Sequence, residues 1–304
     1  MAKDLIVGVV DNYDWDKIKY WANSIKQSGF DGYKALIVFN MDAPTVRKLT
    51  EEGFSLIGVN QFDEEKGFVY TEPNRSIMVD RFFYIHNLIK MLDDSMDVSR
   101  VVITDVRDVV FQDNPSNWMD HFFLHGFDLI VGSENLNYAD EPWGKNNIAK
   151  SFGEYFFEQL HDAPIYCAGV IAGTTDSIRD MCLNLYLICK GLNPHVEGGG
   201  GPDQAALNIM LDLGVYEFST LFTDPSSGWV LHAGTSLPAI QAGSGGIGQA
   251  YMQNPNMSLP FLMNLEYSID NNDVFVNGQK ITILHQWDRV PAWKRMIEEK
   301  YGAN

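Results

Sequence analysis

The side chains with chemical potential in this sequence gather where apolar runs stop. Val101-Val102-Ile103-Thr104 is followed at once by Asp105-Val106-Arg107-Asp108, and Val109-Val110-Phe111 closes the segment, so two carboxylates stand directly after a buried strand. Acidic groups held between hydrophobic flanks are costly unless something compensates them. Carboxylates at a strand end suit a hard cation such as Mg²⁺ or Mn²⁺. The plainer reading is that one Asp caps the following turn while the other pairs with Arg107. A second place is Gly198–Gly201 followed by Pro202-Asp203-Gln204, where a glycine run can move and the side chains at a helix start face a ligand; its plainer reading is that Asp203 only caps its helix. A third is His285, which ends the apolar run Ile281–Leu284 and, taken alone, is most simply a hydrogen-bonded residue.

Other features invite weaker readings. Gly243-Ser244-Gly245-Gly246-Ile247-Gly248 satisfies a GxGxxG spelling, but it sits late in the chain with no βαβ unit around it, and a mobile loop is expected there instead of a dinucleotide site. Trp143, Trp229 and Trp287 could stack on a sugar face, though such aromatics belong more often to a core.

The elements that must position these groups follow from periodicity. Leu5–Val10 reads as a buried parallel strand, and the next helix is capped by Asp14 or Asp16, carries Ile18, Trp21, Ala22 and Ile25 as its stripe, and stops before Gly29. Ala35–Phe39, Phe54–Gly58 and Val101–Thr104 read as further strands, with helices over Ala43–Glu51 and Ile77–Leu92 between them. This alternation predicts a doubly wound, mainly parallel sheet whose ligands bind beyond the C-terminal strand ends, where Asp11-Asn12-Tyr13 and Asp105 both fall. Helices near Ser116–Phe123 and Ile148–Leu160, strands at Asp128–Val131 and Ile165–Ile171, and a helix over Asp176–Lys190 continue the pattern. Pro202 opens a helix with Ala205, Ile209 and Leu213 on its apolar side. In the last third, Pro225–Gly228 and Gly243–Gly248 read as flexible loops, Val274–Gly278 as a hairpin with a primed turn, and Pro291 as the opening of a terminal helix ending near Lys300. No repeat or linker appears, and a single α/β domain is expected.

Bulk properties narrow the field. A chain of 304 residues with 45% hydrophobic and 12% aromatic content can bury a large core. Its net charge of −18 opposes nucleic-acid backbones and anionic membranes, so a phosphorylated ligand would need a cation or a few placed basic groups to reverse the field locally. Cys167, Cys182 and Cys189 form no CxxC pair and leave one thiol over in any pairing, which suits a reducing compartment. The apolar run before Asp11 is too short for a signal peptide and no stretch approaches a membrane span, so a cytoplasmic protein is expected.

The motifs resemble those of GT-A fold nucleotide-sugar transferases, and most nearly the retaining galactosyl- and glucosyltransferases related to glycogenin (glycosyltransferase family 8-like). Thr104-Asp105-Val106-Arg107-Asp108-Val109-Val110-Phe111-Gln112 looks like the acidic metal motif. Val10-Asp11-Asn12-Tyr13 is similar to the first strand end, where base and ribose sit, and Arg81 stands in the long helix before the motif. Tyr166-Cys167-Ala168-Gly169-Val170 looks like the family's aromatic-Asn-(Ser/Ala)-Gly-Val strand, Asp203-Gln204-Ala205-Ala206-Leu207-Asn208 like its Asp-Gln-x-x-Leu-Asn helix start, and His285-Gln286-Trp287-Asp288-Arg289 like its closing His-Gln-aromatic-Asp-Arg element. Two departures stand out: the carboxylates are Asp105 and Asp108 instead of Asp-x-Asp, with Asp108 matching the second family Asp, and Cys167 replaces an Asn.

The resemblance implies one GT-A domain over 1–304, with a nucleotide-binding half at 1–115 and an acceptor-binding half with the closing C-terminal element at 116–304. It implies Asp105, Asp108 and His285 as ligands of Mn²⁺ or Mg²⁺, and Val10, Asp11, Asn12, Tyr13, Arg81, Asp105, Val106 and Arg107 around the nucleotide. Asp203 and Gln204 would flank the reacting carbon, and the glycine loop at 243–248 would cover the donor. The donor expected is UDP-glucose or UDP-galactose, and the acceptor a glycan, lipid or protein. Two alternatives from other classes are a sugar nucleotidyltransferase, which normally needs a glycine-rich basic loop where this chain has Asp11-Asn12-Tyr13, and a non-catalytic sugar-nucleotide or glycan-binding module.

Overall fold

The computed structural model describes residues 3–71, 76–93, 97–123, 126–193, 195, 199–216, 219–259, 262 and 264–302. The chain opens with β1 (Lys3–Val10), α1 (Trp15–Gln27), β2 (Tyr33–Val38), α2 (Ala43–Glu51) and β3 (Ser55–Gly58). Asp14 caps α1 by accepting from the Lys17 backbone N–H, and Asp42 caps α2 in the same way through Thr45. A two-residue pair, β4 (Phe62–Asp63) with β5 (Gly67–Phe68), precedes α3 (Ile77–Asp93), β6 (Val98–Thr104), β7 (Val109–Phe111) and α4 (Pro115–Phe123).

The second half holds β8 (Leu129–Asn137), α5 (Pro142–Phe152), α6 (Glu154–Leu160), β9 (Pro164–Thr174), α7 (Thr175–Cys189), α8 (Asp203–Asp212) and β10 (Thr220–Thr223). It continues with β11 (Val230–His232), α9 (Leu237–Gln241), α10 (Gly245–Gln253), β12 (Tyr267–Asp270), β13 (Asp273–Val276), β14 (Gln279–Lys280), β15 (Ile283–His285) and α11 (Pro291–Tyr301).

The main sheet runs β10-β8-β9-β6-β1-β2-β3. Its β1, β2, β3 and β6 are parallel neighbours, and β9 is antiparallel to both β6 and β8. The α/β architecture with a mainly parallel sheet is therefore as expected, with β9 as the reversed strand. Successive residues of β1 feed opposite faces: Leu5 and Val7 join Phe82, Ile85 and Met181 from α3 and α7, while Ile6 and Val10 join Ile18, Trp21 and Leu49 from α1 and α2. Each face is thus closed by helices.

Two small sheets finish the molecule. One runs β11-β15-β7 and the other is the antiparallel β12-β13-β14, which forms the small C-terminal antiparallel region expected from the sequence. Asn277 and Gly278 both have positive φ, at 51° and 77°, which gives the primed hairpin between β13 and β14.

Some expectations need correction. The helix over Ile148–Leu160 is two helices, because Gly153 turns at φ 95° between α5 and α6. The strand at Asp128–Val131 runs on to Asn137. Leu213 lies past the end of α8 and is 66% exposed, since α8 is buried almost all round and has no single apolar side. The loop expected at Gly243–Gly248 is largely the first turn of α10, and Pro225–Ser227 is a 3₁₀ turn capped by Asp224. Trp229 and Trp287 are core residues, 0% and 3% exposed, Trp229 packing on Trp118 and Trp287 on Tyr20. Gly198 lies outside the described residues.

Candidate functional site

Three distant stretches of chain meet beyond the C-terminal end of β6. Asp105 and Asp108 lie in the turn between β6 and β7, and the Asp105 backbone N–H donates to the Gly169 carbonyl of β9. His285 is brought in by register: β15 pairs antiparallel with β7, placing His285 opposite Val109, one residue from Asp108. The Gln286 N–H then donates to the Asp108 carbonyl at 2.7 Å, and Gln286 takes a left-handed φ of 57° to leave the strand at that point. His285 lies over Gly169, where an added Cβ would fall 2.4 Å from the ring, so only glycine leaves room for the imidazole.

The oxygens are divided between cations and histidine. Asp105 gives Oδ1 to Arg81 at 2.5 Å and turns Oδ2 towards His285 Nε2 at 3.6 Å. Asp108 gives Oδ2 to Arg107 at 3.2 Å and Oδ1 lies 3.9 Å from the same Nε2. One oxygen of each carboxylate and one ring nitrogen therefore share a small volume, all within 4.8 Å of one another. Two carboxylates with one imidazole are a donor set that Mn²⁺ or Mg²⁺ accepts, with room for further oxygens from a ligand. The three residues fit the ion that the sequence resemblance implies.

Arg81, from α3, organises the floor. Its Nη1 holds Asp105, and its Nη2 donates to Asp203 at 2.6 Å and to the Ala168 carbonyl at 3.1 Å. Burial alone would raise the Asp105 pKa, but the charges of Arg81 and His285 outweigh it and hold the carboxyl down at about 2. For Asp203 burial wins over Arg81 and the carboxyl titrates above its usual range. His285 shows the opposite balance: burial disfavours its cation, yet the carboxylates around it raise its pKa.

These groups open into a cavity of about 1020 Å³. Arg81, Asp105, Arg107, Asp203, Gln204 and His285 all line it, and Asp108 stands just behind them, 7% exposed. Trp143 also lines the cavity, with its indole N–H bonded to the Gly199 carbonyl, and Gly245, Gly246 and Ile247 form part of the wall. The first strand end contributes less directly. Val10 and Val106 have their side chains buried in the core, and neither lines the cavity. Asp11 is held by Asn40 at 2.6 Å and by Asn12, and neither Asp11 nor Asn12 lines the cavity. Tyr13 is close enough to Arg107, Asp105 and Asp108 for their charges to act on its hydroxyl, whose pKa burial raises.

Two residues were not singled out in the sequence. Glu134, in the part of β8 beyond Val131, lines the cavity and accepts from Gln204 Nε2 at 3.2 Å. Burial, with the neighbouring Glu141 charge, pushes its pKa up to about 7. His232, at the end of β11, lies beside His285 because the two strands pair in parallel with these residues in register. A matching signal was present: Val230-Leu231-His232 repeats the apolar-run-then-histidine pattern of Ile283-Leu284-His285.

Among solved structures, the chain is similar to the bifunctional glycosyltransferase WbbM in its apo form, with a TM-score of 0.53 at 13% identity. The match covers 99% of this chain and 52% of that one, so this chain spans about half the length of that protein. At this identity the likeness speaks to the fold, which is shared with a glycosyltransferase. No family model matches the sequence, and no curated protein matches it. Among the described residues no helix is long and apolar enough to cross a membrane.

Proposed function

We propose that this chain is a metal-dependent glycosyltransferase that moves a hexose from a nucleotide diphosphate sugar, UDP-glucose or UDP-galactose, to an acceptor hydroxyl with retention of configuration. The observation that carries the reading is the convergence of Asp105, Asp108 and His285, each presenting one ligand atom to the same point, on the floor of a large cavity beside Asp203 and Gln204. The fold shared with WbbM agrees with it.

A divalent cation bound there would neutralise the charge that develops on a departing diphosphate. Everything else falls to the chain. Arg107 and Arg289 line the cavity and reverse, locally, the repulsion that the net charge of −18 would exert on phosphates. Arg81 holds Asp105 and Asp203 through the two ends of one guanidinium, so that neither carboxylate reorients when a ligand arrives. Gln204 is oriented through both ends of its amide, its nitrogen on Glu134 and its oxygen accepting from the Ala168 N–H. With Asp203 bound to Arg81, its part is to orient sugar or acceptor beside the departing phosphate.

The test is a panel of nucleotide sugars screened for Mn²⁺-dependent hydrolysis, followed by NMR of the released sugar anomer. Hydrolysis of a UDP-hexose that stops with chelator and gives the donor's own anomer first is the expected result. Tight donor binding with no turnover would leave a binding module, and turnover indifferent to chelator would remove the metal from the reading.

A further inference from the structure

We propose that Cys167, His232 and His285 form a second metal site, selective for a borderline-soft divalent cation such as Zn²⁺, which shares His285 with the acidic site and excludes the hard ion from it. The proposal concerns the other side of the same imidazole. His285 turns Nε2 towards Asp105 and Asp108, and Nδ1 towards His232 Nδ1 at 2.9 Å and Cys167 Sγ at 3.7 Å. One ring nitrogen of each histidine and the cysteine sulfur lie within 4.8 Å of one another, and all three residues are buried.

The spacing is close to what a tetrahedral ion needs. With Zn–N of about 2.0–2.1 Å and Zn–S of about 2.3 Å, ligand atoms around the ion stand roughly 3.3–3.8 Å apart. The Cys167–His285 separation is already in that range, and the imidazoles must part by only a few tenths of an ångström. The rings meet nearly edge to face, at 89°, with the two Nδ1 atoms turned towards each other on the side where Cys167 Sγ approaches His285. Room for this arrangement is built by two glycines. A Cβ at Gly169 would collide with His285, and one at Gly132 would fall 2.8 Å from His232 Nε2. An ion can reach the gap because Cys167 and His285 line the cavity, whose wall also includes Glu134. A thiolate with two imidazoles is a softer set than two carboxylates with one imidazole, and it favours zinc over manganese or magnesium.

Exclusion follows from proton positions. Without metal, one proton bridges the two Nδ1 atoms. An ion in the gap needs the lone pair of each Nδ1, so both rings must carry their proton on Nε2, and the Cys167 thiol releases its proton to solvent as the metal–sulfur bond forms. On His285 the Nε2–H then faces Asp105 and Asp108 as a donor and has no lone pair for an ion between them. The soft ion thereby switches off the site on which the proposed transferase reading rests.

The full chain, stripped with chelator and titrated with Co²⁺ as a Zn²⁺ surrogate, should develop a thiolate-to-cobalt charge-transfer band at one equivalent that Zn²⁺ bleaches. The band should vanish in Cys167→Ser and survive in Cys182→Ser, Cys189→Ser and Asp108→Asn. No band in the unmodified protein, or a band that persists in Cys167→Ser, overturns the site. For the exclusion, bound Mn²⁺ is followed by EPR during Zn²⁺ addition. Cys167→Ser should need at least tenfold more Zn²⁺ to release it, and equal release from both proteins overturns the competition. Failure of the unmodified protein to bind Mn²⁺ at all removes the exclusion together with the acidic site, while the cobalt band still decides the soft site independently.

Discussion

Strand β6 carries a similar cluster of charges at each end: an arginine held by two aspartates. At its start Arg100 reaches Asp4 through two bonds of 2.8 and 2.6 Å and Asp120 at 2.6 Å; past its end Arg81 reaches Asp105 at 2.5 Å and Asp203 at 2.6 Å. The difference lies in what remains after pairing. Asp120 is 68% exposed and its surplus charge is screened by water, whereas Asp203 is 7% exposed and Asp105 keeps an oxygen turned to His285 inside the cavity. An ion cluster becomes a site when the pairing leaves aimed, desolvated ligand atoms; the pairing itself is only scaffolding.

The comparison breaks most severely at Arg81. Arg81→Leu strands the buried Asp203 carboxylate and the partly buried Asp105 carboxylate, and the expected cost is about 3–5 kcal/mol of unfolding free energy, measured by denaturant titration at neutral pH. The loss should shrink as the pH is lowered and the carboxylates take up protons. The folded Asp105 pKa is depressed to about 2, so in the native protein its contribution is fully present above the unfolded value near 3.8 and fades as the pH falls through 2. A variant as stable as the parent would mean that Arg81 compensates nothing. Asp108→Asn separates site from scaffold: it keeps the side chain's shape, and turnover should drop roughly a thousandfold, about 4 kcal/mol of barrier, with the melting temperature nearly unchanged.

Those parts of the site that are marked locally could be seen in the sequence and those set by distant packing could not, for a physical reason. Strand ends are marked locally: Val101–Thr104 is apolar, and the carboxylates that follow had to face a cavity or a cation. The capping of α1 by Asp14 and of α2 by Asp42, like the turn at Asn277-Gly278, is equally local. What escaped depends on distant packing. The polar stretch Gly132-Ser133-Glu134-Asn135 looks like a turn, but pairing with β9 and burial beneath Gln204 keep it in the sheet and carry Glu134 into the site. Gly245 and Gly246 look like a loop, yet α10 begins there. His232 escaped because its short apolar run ending in histidine, though it matches that of His285, does not by itself announce that β11 will pair with β15. The reversal of β9 is likewise a matter of partners that one strand's composition does not encode.

Glu134 sharpens the comparison from the other side, as a carboxyl in the same cavity with no arginine to hold it down. Its folded pKa of about 7 exceeds the ordinary glutamate value of 4.5. Raised in the folded state, it costs nothing at pH 4, where both states are protonated, and its penalty grows as the pH climbs from 4.5 through 7. At about 1.4 kcal/mol per unit the full penalty is on the order of 3 kcal/mol. Glu134→Gln, in the metal-free protein, should therefore stabilise at pH 8 by up to that amount and change little at pH 4. Equal effects at both values would show that desolvation of the charge is not what strains this position.

The smallest effect is expected at the outer carboxylate of the Arg100 cluster. Asp120 has most of its side chain in water, and Arg100 keeps its two bonds to Asp4 when Asp120 is removed. Asp120→Ala should cost about 0.5 kcal/mol or less, decreasing further in high salt, and leave turnover untouched. Its counterpart Asp203→Ala removes a carboxylate of the same geometry from the same kind of arginine, but from the buried cluster. If the two substitutions changed turnover alike, the distinction between scaffold and site at the two ends of β6 would be lost, because both differ from the parent by one aspartate on one arginine and only their surroundings differ.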